Sequence, residues 1–309
     1  MIYCIESGDN MKTSFVATVF NEQDSVDLLI QSIISQTKKV DEVIIVDGGS
    51  TDATVSIISR YSEIKLFTKK GNRSIGRNYG ILKAKGDIIL ISDAGCILDP
   101  YWVRNITKPF VDRTVDVVAG YYEGKTSTVF QKCMIPYVLV MPDRVDPLNF
   151  LPATRSMAMK KLVWKVLAGF REDLSHNEDY VFARKLKMHG VKIIFAKDAI
   201  VSWIPRKNLR EAFFMFFRFA KGDIESRIIR KGVVLLFLRY IFGLILIMYF
   251  IYFELLFYLY FLGILILFYI LWSILKNYKY TNSFSAFFWL PVMQITADVA
   301  IILGSVAGI

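Results

Sequence analysis

The spacing of hydrophobic positions changes character along the chain. Short continuous apolar runs come first: Ser14 to Val19, Glu42 to Val46, Ile64 to Phe67 and Ile88 to Ile91. Between them lie segments with a helical pattern, such as Ser74 to Lys83, which has Gly80 inside it. Continuous apolar strands alternating with helices predict a parallel α/β sheet covered on both faces. Further on, "LPATRSMAMKK" reads as a strand leading into a helix. "LAGFREDLSHNEDYVFARKLKMHG" predicts a helix that starts at Glu178-Asp179, with Val181, Phe182, Leu186 and Met188 on its apolar side.

Beyond about Lys231 the polar positions nearly vanish. Val233 to Phe253 and Leu255 to Leu275 are apolar on all sides, with only Glu254 between them. Each is long enough to cross a hydrocarbon layer of about 30 Å as a helix. A third apolar stretch, Phe284 to Ile309, contains Pro291 and Asp298. The segment Arg206 to Gly232 interleaves Phe213, Phe214, Phe216, Phe217 and Phe219 with Arg210, Arg218 and Lys221. That is the pattern of an amphipathic helix at a membrane surface, although a helix packed in the protein interior has the same pattern. The expected organisation is a soluble domain over 1–205, an interfacial segment over 206–232, and a transmembrane domain over 233–309 with helices at 233–253, 255–275 and 284–309.

Composition adds direction. The 309 residues are 54% hydrophobic, high for a soluble domain, and carry a formal charge of +10. Arg227, Arg230 and Lys231 precede the first apolar span, Lys276 and Lys279 follow the second, and the turn at Glu254 has no Lys or Arg. The positive-inside rule then places the soluble domain on the cytoplasmic side of a multi-pass membrane protein. No basic-then-apolar leader opens the chain, which agrees with that placement, and Met11 is a second candidate start. Arg239 lies inside the first span and either snorkels to the interface or faces a lipid phosphate. Basic and aromatic residues together also suit nucleic acid, but beside membrane spans no nucleic-acid partner is expected. Cys4, Cys96 and Cys133 have no paired spacing and predict free thiols.

Three predicted strands end in polar or acidic residues: Asn21-Glu22, Asp47 and Asp93. In open α/β sheets ligands bind outside the carboxyl ends of the strands. Gly48 and Gly49 permit a close turn after Asp47, and Ser50, Thr51 and Asp52 can cap the next helix. Alone, this stretch reads equally well as a plain turn with a cap. Neither a Walker phosphate loop nor a dinucleotide fingerprint is present.

The ordered set "VFNEQDSV", "IIVDGGSTDAT", "GRNYGILKAKGDIILISDAG" and "HNEDYVFARKLKMHG" resembles the family 2 glycosyltransferases of the GT-A fold, over roughly Thr13 to Asp223. The resemblance implies an α/β nucleotide-sugar-binding domain with a mostly parallel central sheet, followed here by a helical transmembrane domain. It implies that Phe20, Asn21 and Glu22 line the nucleotide site, that Asp47 accepts a hydrogen bond from the base, and that Arg77 and Asp93 sit near the ribose and diphosphate. Asp179 would be the catalytic base, with Glu178, Arg155, Arg218 and Lys221 on the acceptor side. A UDP- or GDP-sugar would be the donor, and a polyprenyl phosphate or lipid-linked saccharide the acceptor. The chain departs from the family at the metal site, where Asp93-Ala94-Gly95 replaces Asp-x-Asp. Asp93 alone would then ligate Mg²⁺ or Mn²⁺ with diphosphate and water, or Lys and Arg would carry that charge. The stretch "VSW" from Val201 to Trp203 stands where relatives often have a histidine, and His176 and His189 read as surface or packing residues. A single base and in-line attack imply inversion at the anomeric carbon. Two other readings remain: a processive polysaccharide synthase, for which three spans are few and a Gln-x-x-Arg-Trp segment is missing, and an inactive membrane-tethered binding protein, against which Asp47, Asp93 and Asp179 argue.

Overall fold

The computed structural model describes residues 11–309, apart from the side chains of Leu256 and Leu259, so Cys4 and the stretch before Met11 lie outside the described residues. The chain divides into two compact units. The first comprises residues up to Lys125 together with Asp143–Ile204, the second Thr126–Pro142 together with Pro205–Ile309.

The first unit begins with β1 (Thr13–Val19), α1 (Val26–Ile34), β2 (Glu42–Asp47), α2 (Thr54–Ile58), β3 (Ile64–Thr68), α3 (Arg73–Lys83) and β4 (Ile88–Ile91). It continues with β5 (Cys96–Leu98), α4 (Trp102–Thr107) and β6 (Val117–Gly124). Past α5 (Val129–Val138), which belongs to the second unit, come β7 (Met157–Lys160), α6 (Lys161–Val166), α7 (Glu178–Met188) and β8 (Ile193–Trp203). The eight strands form one sheet in the order β3-β2-β1-β4-β7-β6-β8-β5. β3, β2, β1 and β4 are parallel, β7 runs against both of its neighbours, β6 and β8 pair in parallel, and β5 closes the edge antiparallel to β8.

Why the first strands read as unbroken apolar runs is visible in the packing. Val16, Ile44, Val46, Ile89 and Ile91 point to one side, against Ile81 of α3 and Phe182 and Leu186 of α7. Val19 and Ile45 point to the other, against Val26 and Ile30 of α1 and Ile58 of α2. With both faces covered, polar residues have no place in mid-strand. Each fully buried aliphatic side chain contributes about 1.5–3 kcal/mol. Cys96 and Cys133 are free and buried, and burial pushes their thiols up to about 12 and about 11.

The second unit joins α5 to α8 (Leu209–Glu225), α9 (Lys231–Tyr252), α10 (Leu259–Thr281) and α11 (Ala286–Ala307). The last three are long and apolar enough to cross a membrane. They differ in packing: only 6% of the most apolar stretch of α9 is buried, against 39% for α11. One stripe of α11, with Leu290, Met293, Ala297, Ala300 and Gly304, is buried. Leu290 meets Cys133 of α5 and Ile274 of α10.

Some boundaries move. The amphipathic segment is helical only to Glu225, because Arg227 adopts a left-handed φ of 58°. Its apolar side, with Ala212, Met215, Phe216 and Ala220, is buried, as an internally packed helix requires, while Phe214 and Arg218 stay exposed. The helix expected to stop at Leu275 runs on to Thr281, so Lys276 and Lys279 lie on its last turns rather than in a loop.

Candidate functional site

Because β1, β2 and β4 are parallel, their carboxyl ends share one edge of the sheet. There the loops after β1 and β2 are laced together. Asn21 has a left-handed φ of 53°. Its amide donates to the Ser50 hydroxyl at 2.9 Å, and its side-chain oxygen accepts from the Thr51 amide at 2.9 Å. The Glu22 amide donates to Thr54 at 2.8 Å, and the Glu22 carboxylate accepts from the Ser25 hydroxyl at 2.6 Å. Ser50 and Thr51 thus hold the neighbouring loop instead of capping α2. At the start of α2, Asp52 accepts the Thr54 amide at 3.0 Å and Gln23 accepts the Ala53 amide at 3.1 Å.

Asp47 ends β2 and is buried. Its carboxylate accepts the amides of Gly49 at 2.9 Å and Ser50 at 3.1 Å. Gly49 needs its lack of a side chain, having a φ of 102°. The turn that Asp47 braces forms one wall of a cleft of about 200 Å³ lined by Thr18, Phe20, Glu22, Gly48, Asn72 and His176. Phe20 is 58% exposed at this cleft. Asn72 fixes the opposite wall: it caps α3 by accepting the Ile75 amide and donates to the carbonyls of Glu172 and Leu174. His176, read from the sequence as a surface or packing residue, in fact lines this cleft.

The antiparallel β7 brings a second group to the same edge, since Met157 pairs with Ile91. Thr154 and Arg155 precede it. Arg77 of α3 is fully buried and joins the two groups. It donates to Glu178 at 2.9 Å, to Asp93 at 3.3 Å and to Thr154 at 3.4 Å, and its guanidinium lies 5.1 Å from the centre of the Phe170 ring. A charge so deeply buried has to be paired. The structure adds burial to two expectations. Arg77, expected near ribose and diphosphate, is enclosed and holds carboxylates, Asp93 among them. Glu178, expected to meet the acceptor, is buried against Arg77. Burial alone would raise the Glu178 carboxyl, but the Arg77 charge and hydrogen bond outweigh it and hold the group below its ordinary range.

Asp179, next in sequence, is partly exposed and stands in the first turn of α7. Desolvation, and then the adjacent Glu178 charge, raise its carboxyl above 3.8, with Arg155 pulling the other way. Arg155 lies over the rings of Trp203 and Tyr122, 5.4 and 5.6 Å from their centres. Sequence reasoning missed Thr154 and Tyr122, which carry no motif. Trp203 showed only as a departure from the family's histidine. Arg218 and Lys221 lie on α8 in the second unit, where Lys221 pairs with Glu225 at 3.6 Å.

Among the described residues no cluster of three or more acidic, histidine or cysteine ligands exists. The candidate donor set is Asp93 alone. Its side chain is 37% exposed, and one oxygen has only a long contact, 3.4 Å, from Thr154. That fits a magnesium-like ion, which binds through one or two carboxylates and takes its other ligands from phosphate and water.

An α/β sheet of this order, with acidic loops gathered at the carboxyl edge, is the GT-A fold. The sequence profile described as Glycosyl transferase family 2 matches residues 14–167, about half of the chain. The chain belongs to that family and is a glycosyltransferase. It is similar to the glycosyltransferase AglE of Haloferax volcanii, 24% identical over 223 residues, 69% of this chain and 73% of that protein. A shorter stretch, 94 residues at 34% identity, 29% of this chain and 36% of the other, resembles the UDP-Glc:alpha-D-GlcNAc-diphosphoundecaprenol beta-1,3-glucosyltransferase WfaP of Escherichia coli. Among solved structures, the mannosyltransferase PcManGT of Pyrobaculum calidifontis, in complex with GDP-Man and Mn²⁺, superposes with a TM-score of 0.56 at 22% identity, over 70% of this chain and 62% of that one.

Proposed function

We propose that this enzyme is an inverting glycosyltransferase that moves a sugar from a UDP- or GDP-sugar to a saccharide hydroxyl carried on a lipid at the cytoplasmic face of a membrane. The observation that carries the reading is Asp179. It is a carboxylate with a raised proton affinity, accessible at the sheet edge, beside a second carboxylate that Arg77 has already claimed. A hydroxyl acceptor needs a base of this kind. Asp179 takes the acceptor proton, the oxygen attacks the anomeric carbon from the far side, and the bond to the diphosphate breaks with its electron pair leaving on the phosphate. A retaining route through a covalent intermediate needs a second free carboxylate, and Glu178 is not free. In the donor cleft, Phe20 would stack on the base, and Asp47, Asn21 and Glu22 would shape the pocket around the nucleoside. Asp93 would hold a divalent cation, which when bound neutralises the diphosphate leaving group. The named substrates of WfaP and PcManGT support a lipid-linked acceptor and a choice between uracil and guanine.

A second acceptor reading has its own observation. Arg155 lies over two aromatic rings, and no described residue accepts a hydrogen bond from its guanidinium. A polyprenyl phosphate would pair with it. Such an acceptor is already anionic and needs no base. Changing Asp179 to Asn separates the two readings. With a hydroxyl acceptor, transfer falls by at least about two orders of magnitude while donor binding persists. Near-normal transfer by the variant removes Asp179 as base. The fold control has a definite sign. Because the folded-state pKa is raised, the charged group costs stability above the unfolded pKa, so at neutral pH the Asn variant should melt no lower than its parent.

A further inference from the structure

Inside the apolar helices of the second unit lies a polar cluster. Arg239 of α9 donates to Asp298 of α11 at 2.8 Å. The same carboxylate oxygen accepts from the hydroxyls of Tyr240, at 3.0 Å, and Tyr269. The other oxygen accepts from Gln294 at 2.9 Å. Asp298 is 5% exposed and fully provided for, with four donors drawn from α9, α10 and α11. Arg239 is the opposite case. Its side chain is 42% exposed, and among the described residues Asp298 is its one hydrogen-bond acceptor. Arg230 shows the contrast: it grips Asp223 with two nitrogens, at 2.6 and 2.9 Å.

A guanidinium has five N–H donors, and hydrocarbon offers nothing to those left over. A purely structural ion pair would be expected to use the fork. Here the guanidinium instead lies 4.2 Å from the Tyr269 ring centre and 5.1 Å from that of Tyr240. The side chain keeps 42% of its surface exposed. Tyr269 stacks on Trp272 at 5.6 Å, and Lys276 lies 4.6 Å from the Trp272 ring. Residues 269, 272 and 276 follow one face of α10, so an aromatic strip connects two cations. At 1.5 Å per residue, Arg239 lies about 12 Å along α9 from Lys231. That depth is within an apolar leaflet of roughly 15 Å.

We propose that the exposed part of the Arg239 guanidinium, beside Tyr240 and Tyr269 and continued along Trp272 to Lys276, binds the phosphate group of a lipid. The guanidinium matches phosphate geometry with paired N–H donors. Asp298 is enclosed by its donors while Arg239 is 42% exposed, so an approaching anion meets the arginine rather than the carboxylate. A lipid phosphate has two sources, the headgroup of a bulk phospholipid or a polyprenyl phosphate. The proposal rests on contacts within the second unit and does not depend on the transfer reaction.

The test uses the full-length protein in detergent and counts bound lipid by native mass spectrometry. The probes are phosphatidylglycerol, undecaprenyl phosphate and, as a phosphate-free control, diacylglycerol. Both phosphate lipids should bind and diacylglycerol should not, and Arg239→Gln should weaken phosphate-lipid binding about tenfold or more. Equal affinity for the two phosphate lipids assigns the site to a phospholipid headgroup, and preference for undecaprenyl phosphate assigns it to a carrier lipid. Should Arg239→Gln fail to fold, Arg239→Lys keeps the charge opposite Asp298 without the forked donors and should show the same loss. Unchanged lipid binding in whichever variant folds, or equal binding of diacylglycerol, overturns the proposal and leaves the cluster as a pin between helices.

Discussion

Glu178 and Asp179 are adjacent carboxylates with opposite environments. One is neutralised by buried Arg77, while the other is left to accept a proton, and the first raises the proton affinity of the second. This gives a pH prediction with a definite sign. If Asp179 is the base, it acts only when ionised, so kcat/KM is sustained above its raised folded pKa and lost as pH falls through it. Glu178→Gln removes the neighbouring negative charge and leaves Arg77 less compensated. Both changes favour ionised Asp179, so the acid limb should move to lower pH, and the maximal rate should fall because Arg77 loses its partner. A pH–rate profile of the two proteins checks this. A limb that stays in place or moves upward would mean that Glu178 does not set the proton affinity of Asp179. At this scale the sequence was legible where position follows a local pattern: Asp47 closes β2, Asp93 follows β4 and Asp179 stands in the first turn of α7. It was silent where position follows a distant partner. Arg77 and Glu178 meet only because α3 and α7 pack against the same face of the sheet, and no local spacing encodes that meeting.

Among the elements, β1 to β4 and α3 could be read from the sequence because burial on both faces leaves unbroken apolar runs. β6 and β8 were not legible. Their pairing shifts register between Gly120 and Tyr121, and Lys197 and Asp198 interrupt the apolar pattern of β8. Nor was α5, whose packing partners are helices more than a hundred residues later, beyond any local pattern. The pairing of α8 with α11 depends on close approach. A Cβ placed on Gly304 would lie 2.3 Å from the Phe217 carbonyl oxygen, a backbone atom that cannot rotate away. Gly304→Ala should therefore force the two helices apart at a cost of about 1–3 kcal/mol. Gly243, on α9, has no neighbour beyond its own helix backbone within 4 Å of the point where a Cβ would stand, and it serves as the control. Thermal melting in one detergent should show a lower transition for Gly304→Ala and no more than a small change for Gly243→Ala. Equal melting of the two would mean that the contact yields without strain.

For the whole molecule, the expected order of a soluble domain followed by a membrane domain came from one shift in composition near Lys231, and the three long apolar helices are long enough for it. What composition does not convey is how the acceptor reaches the base. Arg218 is exposed on α8, and Lys221 is loosely tied to Glu225 at 3.6 Å. If these two cations steer an anionic lipid-linked acceptor, replacing both with Gln removes charge while keeping much of the apolar stem. Acceptor use should weaken with donor affinity little changed. Charge contacts in a partly desolvated setting are worth a few kcal/mol, whereas fully hydrated ones are worth little. The size of the loss therefore reports how dry the contact is. Acceptor dependence of the rate, measured in detergent, and donor affinity, measured by thermal shift, separate the outcomes. Equal loss of both would place these side chains on the donor diphosphate. No loss of either would make α8 a packing helix for α11 and remove the steering role of its basic side.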